Sequence, residues 1–357
     1  MTLTRTSMSD VRNDLIRCLR DPRDRGPWSN DLLACARANR VHLLLADRGG
    51  DASLQADLRA AAVVEAARDR ELREVLAALA GVNVRPVLLK GAVLSRTHYR
   101  RPELRPRTDT DLLIPTTARD ATMRVLVEFG YEHLAETAGP LTTGQFHLHK
   151  RDAVGVFHAL DVHCRISNVR AFSNVLTYAE LARDARPIPS LGPLAWGPSP
   201  VHALIIACVH RVAHHGNTDS LLWLLDVSLL ARSLEPHERD CFAELAGTRG
   251  IVAVCRNTLA LADAAFGGVD AEWLASLHTE TAEPTAAFLR GPLRQIDILK
   301  QDLLASPRVW QRLQIVGEHL FPSSSFMYER YRTQRKSALP LLYVHRIVTG
   351  MPKWFRR

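Results

Sequence analysis

Between Arg107 and Ile114 the chain reads RTDTDLLI, and this segment restricts the fold more than any other. The spacing predicts a strand over Asp109–Ile114. Side chains of a strand alternate faces, so Asp109 and Asp111 are expected on one face, with Arg107 beside them. Two adjacent carboxylates repel each other unless a cation lies between them. A hard divalent ion with oxygen ligands, Mg²⁺ above all, answers that need. Upstream, an apolar run with a predicted strand over Val84–Leu89 ends in Lys90-Gly91 and enters a helix-prone segment, Ala92–Tyr99. A glycine turn at a helix start lets backbone approach an anion, so this turn and the carboxylates together suit a metal-bound polyphosphate. Downstream, a hairpin is predicted from Phe146–Lys150 and Val156–Arg165, with Asp161, His163 and Arg165 on one face of its second strand. Asp161 is the expected third carboxylate, both ligand and general base.

The remainder reads as helix on either side of this α/β stretch. Residues 1–80 carry predicted helices at Asp10–Leu19, Ser29–Asp47 (Ser29 as N-cap) and Ala52–Leu79, punctuated by Asp21-Pro22, Gly26-Pro27 and Gly49-Gly50. They are expected to wrap the core without contributing chemistry. A helix at Ala118–Phe129 follows the second strand. Residues 166–199, with four prolines, read as a connector. Beyond them, helices are predicted at Val201–His215, Ser220–Arg232, Pro236–Arg249, Val252–Phe266, Ala271–Leu277, Pro284–Leu304 (broken at Gly291-Pro292) and Arg308–Leu320. The expected class is α+β: a small mixed sheet in 81–165, helical regions in 1–80 and 200–329, and a basic tail in 330–357.

Charge locates one further feature. The chain has 46 Lys+Arg against 38 Asp+Glu, and eight of the basic residues with no acidic ones fall in 330–357, so the rest is balanced at 38 against 38. A nucleic-acid binder would spread basic surface through its fold, so nucleic acid is not the expected partner. The tail reads as a solvated end. Its Trp354 and Phe355 with the basic residues would alternatively dock an acidic peptide or an anionic surface. No apolar run reaches membrane-span length and the N-terminus lacks a signal-peptide core. The six cysteines form no C-x-x-C pair, and reduced, mostly buried thiols in a cytoplasmic protein are expected.

The order of segments LLKGAVL, R-x-D-x-D-L-L-I, LDVH, H-x3-HH-G and L-x-W-L-L-D resembles a divergent bacterial branch of the polymerase β-like nucleotidyltransferase superfamily. The resemblance covers roughly residues 30 to 345, with a spacer of sixteen residues, 93 to 108, longer than that superfamily's usual one. Some members of the branch accompany gene clusters for peptide natural products. The resemblance implies Mg²⁺-dependent transfer of a nucleoside monophosphate from an NTP to a hydroxyl or phosphate, on a peptide or small-molecule acceptor. It implies Asp109, Asp111 and Asp161 as metal ligands, with Gly91 and Lys90 on the phosphates. Other readings of the same site are a sugar-nucleotide donor, a non-catalytic nucleotide or peptide binder, and a tRNA-modifying toxin.

Several residues remain. Arg107 is expected to bind phosphate or to pair with Asp109. Arg100, Arg101 and Arg105 read as a solvated loop. His210 and His214 share a helix face at zinc-ligand spacing, but the H-E-x-x-H form and nearby cysteines are lacking, so they are expected to line the substrate cleft, as is His163. Asp226 is expected to hydrogen-bond one of these histidines. His147, His149 and His158 read as ordinary strand residues.

Overall fold

A computed structural model describes residues 8–133, 144–279, 281–291, 293–304, 306, 308–333 and 335–354. Four helices come first: α1 (Met8–Arg20), α2 (Asn30–Ala38), α3 (His42–Ala46) and α4 (Ala52–Gly81). Ser29 caps α2 as expected, accepting from Leu32 N–H at 3.2 Å. The predicted single helix over 29–47 is broken in two. Arg40 has a left-handed φ of 56°, its N–H donates to Arg37 O, and Val41 N–H donates to Ala36 O. This is a Schellman close, in which the left-handed position normally holds glycine.

The sheet then forms in the order β1 (Val87–Leu89), β2 (Thr110–Leu113), β5 (Phe157–His163), β4 (Gln145–Arg151) and β3 (Glu132–His133). Only β2 and β5 pair in parallel; every other neighbour is antiparallel. Helix α5 (Lys90–Thr97) follows β1 with no linker, and α6 (Arg119–Glu128) lies between β2 and β3. The strands alternate as a sheet with two covered faces must. Leu88, Leu112, Leu160, Val162, Phe146 and Leu148 pack on one face with Leu72, Val75, Leu76 and Leu79 of α4. Val87, Leu89 and Leu113 belong to the other face and to a second, larger core.

That larger core runs from Leu15 in α1 to Phe288 and includes α9 (Pro200–Ala213), α10 (Leu221–Ser233), α11 (Pro236–Thr248) and α12 (Val252–Phe266). The helices before and after the sheet therefore bury one continuous apolar interior. Residues 166–199 depart from a bare connector. They hold α7 (Arg170–Ser173), α8 (Tyr178–Arg183) and a two-stranded ribbon of β6 (Arg186–Pro187) and β7 (Trp196–Gly197), and they bury Phe172, Leu176, Leu181 and Leu191. After α13 (Ala271–Ser276), a 3₁₀ segment at Pro284–Arg290 precedes α14 (Gln295–Leu304), so a break falls where one was expected, although Pro292 lies outside the described residues.

Helices α15 (Val309–Leu320), α16 (Ser324–Arg330) and α17 (Leu339–Trp354) follow. The stretch read as a solvated tail is mostly the helix α17; the Trp354 side chain and Phe355 lie outside what is described. All six cysteines are free, but only Cys208 and Cys255 are buried and Cys241 is exposed, fewer buried thiols than composition led one to expect. Among the described residues no helix is long and apolar enough to cross a membrane.

Leu112 is fully buried at the centre of β2, between β1 and β5. Leu112→Ala should cost about 2–5 kcal/mol, the range for a buried leucine that leaves a cavity. Thermal unfolding followed by circular dichroism checks this; a loss below about 0.5 kcal/mol, the size of a neutral surface change, would contradict the packing described.

Candidate active site

Strand register builds the site. Across the sheet, Leu89 lies opposite Asp111, Asp111 opposite Asp161, and Asp161 opposite His147. In the next row on that face, Val87, Leu113, His163 and Gln145 follow one another. The parallel pairing of β2 and β5 thus sets two aspartates side by side, and His163 joins them two residues further along β5. Ligand atoms of Asp111, Asp161 and His163 all lie within 4.8 Å of one another. Asp109 falls just before β2 instead of inside the predicted strand, yet it lines the same cavity, whose volume is about 290 Å³. The compact group therefore holds His163 where sequence reasoning placed Asp109.

Electrostatics divide the carboxylates. Lys90 Nζ and His163 Nε2 both reach Asp111 Oδ1, at 2.6 and 2.9 Å. Burial alone would raise the Asp111 pKa; the Lys90 charge and the His163 hydrogen bond outweigh it and hold the carboxyl far below its ordinary value. Asp109 moves the opposite way: burial raises it, and the neighbouring charges of Asp111 and Asp161 raise it further. That carboxyl sits in surplus negative charge, a condition a bound cation relieves. Asp161 Oδ1 lies 2.5 Å from Nδ1 of His147, which sequence reasoning had set aside as an ordinary strand residue. The signal was available in register, since His147 alternates onto the face that carries Asp161.

Lys90 sits at the β1–α5 junction with a left-handed φ of 49°, a sharp turn that brings its side chain back over β2. Gly91 is buried beneath two arginines: an added Cβ would lie 2.6 Å from Arg105 Nη1 and 3.2 Å from Arg107 Cβ. The glycine is thus required first by the close passage of these side chains.

The arginines themselves correct the sequence reading. Arg107 does not pair with the Asp109 carboxylate. Its Nε donates to Glu65 of α4 at 2.9 Å and its Nη1 donates to the Asp109 carbonyl at 3.3 Å. Arg96 donates to the same Glu65, at 2.9 Å, and to Asp69. The N-terminal region, expected to carry no chemistry, therefore supplies the counter-charges that position the loop before β2. Arg105 is buried instead of solvated. Its Nε and Nη2 grip Asp226 of α10 at 2.9 and 2.6 Å, while Tyr99 Oη donates to Asp226 at 2.8 Å. Asp226 thus bonds an arginine and a tyrosine, not a histidine. Arg100 and Arg101 both pair with Asp47.

The opposite wall comes from α9 and α10. His210, His214 and His215 cluster there; His215 Nε2 lies 3.0 Å from His210 Nε2, and the His215 ring lies 3.9 Å from Trp223. All three line the cavity. Burial, then the Lys90 charge, lowers the His210 pKa well below its ordinary value and brings that of His214 to about 3. Two of their ring nitrogens, His210 Nδ1 and His214 Nε2, are buried without a hydrogen-bond partner.

The site is thus a small mixed sheet with acidic residues on adjacent parallel strands, roofed by helices, the α+β arrangement expected from the sequence. Residues 28–267 match the family described as uncharacterised nucleotidyltransferase, and the chain belongs to that family. No curated protein matches the chain.

Two outcomes follow from this geometry. Arg105→Met strands the buried Asp226 and should cost about 3–5 kcal/mol in denaturant unfolding, whereas Arg105→Met with Asp226→Leu should recover most of that loss; an equally large loss in the double variant would contradict the pairing. For the histidines, a folded pKa below the unfolded value means that the unfolded chain binds more protons as pH falls from 6.5 toward 3, so stability declines across that window. Nitrogen NMR of His214 should show a neutral ring at pH 5, and a protonated ring there would overturn the assignment.

Proposed function

We propose that the protein transfers a nucleoside monophosphate from a nucleoside triphosphate to a hydroxyl or phosphate on a small-molecule or peptide acceptor, with Mg²⁺. The observation that carries this reading is the register match of Asp111 and Asp161 on one face, with Asp109 and Lys90 in the same cavity. The oxygen donors fit a divalent ion: the Asp111 and Asp161 carboxylates have ligand atoms within 4.8 Å of each other, and a third carboxyl nearby has a pKa raised by burial and by its neighbours' charge. Asp111 and Asp161 would hold the ion, with Asp109 adding a further oxygen. Bound there, Mg²⁺ would supply charge neutralisation for the transferred phosphoryl group and the departing pyrophosphate.

The chain's own residues then have separate tasks. Lys90, already 2.6 Å from Asp111, places a positive charge where phosphate oxygens enter. His147 fixes the Asp161 carboxylate from the side. His163 fixes Asp111 and, after the Lys90 charge, helps to hold its pKa low. The acceptor oxygen attacks the α-phosphorus, a P–O bond forms, the bond to pyrophosphate breaks, and Asp161 takes up the acceptor proton. The balanced charge outside 330–357 supports a small-molecule or peptide acceptor over a long nucleic acid.

The test uses the purified protein with each α-labelled NTP, Mg²⁺ and an acceptor mixture from cell extract, read as label moved to a new product. Asp161→Asn should lower the rate by about a hundredfold or more, the scale for losing a metal ligand or a general base, while leaving the melting temperature within a few degrees. Label transfer that persists undiminished in Asp161→Asn would sink the reading.

A further inference from the structure

Four cations line the cavity, and three are already neutralised. Lys90 pairs with Asp111, Arg105 with Asp226 and Arg107 with Glu65. Arg40 is the exception among the described residues: no carboxylate lies within ion-pair distance, and its guanidinium stands 5.6 Å from the centre of the Trp223 ring. It is partly buried, and the charges of Asp109 and Asp226 reach it only from beyond ion-pair distance. Its backbone makes the choice of residue conspicuous. The left-handed position of a Schellman close favours glycine or asparagine, and Gly130, Gly250 and Asn83 occupy it where α6, α11 and α4 end; Arg332 does so after α16. At position 40 the chain accepts arginine in a conformation that disfavours a side chain, and the side chain projects into the cavity.

We propose that Arg40 is the polyphosphate-binding residue of this site, holding the β- and γ-phosphates of the donor and then the departing pyrophosphate. The proposal deepens the transfer reading and rests on it. Charge supports it. With Arg105 and Arg107 cancelled by their partners, Asp109, Asp111 and Asp161 face Lys90 and Arg40, and Lys90 is drawn onto Asp111. A triphosphate adds several negative charges, and Arg40 is the cation left to meet them. A planar guanidinium matches two phosphate oxygens at once, which an ammonium does not. The Arg40 guanidinium lies over the Trp223 ring, 5.6 Å from its centre, and the unpartnered His210 Nδ1 and His214 Nε2 line the same cavity. Arg107, the arginine that sequence reasoning had offered to phosphate, donates through Nε to Glu65 and keeps an Nη2 without a hydrogen-bond partner, whereas no carboxylate among the described residues pairs with Arg40 at all.

The test is isothermal titration of the full chain with inorganic tripolyphosphate and Mg²⁺, which carries the phosphates without base or sugar. The wild type should bind, Arg40→Gln should bind at least about tenfold more weakly, and Arg40→Lys should fall between them. A circular dichroism melt of each variant separates this from loss of fold, and Arg40→Lys keeps the charge if the glutamine variant unfolds. Equal affinity in wild type and both variants, or no binding by the wild type, would overturn the proposal. The label-transfer assay reports on the other reading independently: tripolyphosphate bound through Arg40 with no labelled product would leave a polyphosphate site standing and remove nucleotidyl transfer.

Discussion

Everything chemical in this fold depends on one constraint, the pairing of two parallel strands in a register that sets Asp111 against Asp161. A slip of one residue would turn one of the carboxylates to the other face and into the apolar layer under α4. Register is held by burial on both faces: Leu112, Leu160 and Val162 are locked beneath the sheet, while Leu113 is locked above it. The cost of facing like charges is met locally. Lys90 and His163 stabilise Asp111 as a carboxylate, His147 holds Asp161, and Asp109 is left with a raised pKa from burial and from both neighbours. Such division of carboxylates into a fixed anion and a strained one is how a site prepares for a cation.

Around this pair the structure uses buried ion pairs to fix its loops. Glu65 on α4 ties down Arg96 and Arg107, and Asp226 on α10 ties down Arg105 and Tyr99. Each links the segment between α5 and β2 to a helix remote in sequence. Such pairs add little net stability compared with apolar packing, but removing one partner is costly, so they specify a single loop position. The loop then delivers Asp109 to the cavity, which Arg40 lines without an ion-pair partner among the described residues.

Much of this was legible in the chain itself. The alternation in RTDTDLLI and LDVH revealed the strands and the face of Asp111, Asp161 and His163, because strand periodicity needs no tertiary information. The helices of 200–320 were legible from their apolar spacing and their capping serines and prolines. The ion pairs were not. Arg105 and Asp226 are 121 positions apart and Arg107 and Glu65 are 42 apart, and nothing local distinguishes a buried arginine from a solvated one. The break at Arg40 was hidden for another reason: helix propensity favours continuing through Ala36–Ala38, and an arginine in the left-handed position carries none of the glycine signal that marks most helix ends. His147 was overlooked because its partner is set by the antiparallel register of β4 and β5, although the alternation that placed Asp161 also places His147.

The central claim is that the Asp111–Asp161 pair holds a divalent ion. The most direct measurement is binding of Mn²⁺, as a paramagnetic stand-in for Mg²⁺, followed by electron paramagnetic resonance in wild type and in Asp161→Asn. The account predicts saturable binding by the wild type, competed by Mg²⁺ and weakened by about tenfold or more in the variant. Binding of equal strength in both proteins, or none in the wild type with nucleotide present, would contradict it.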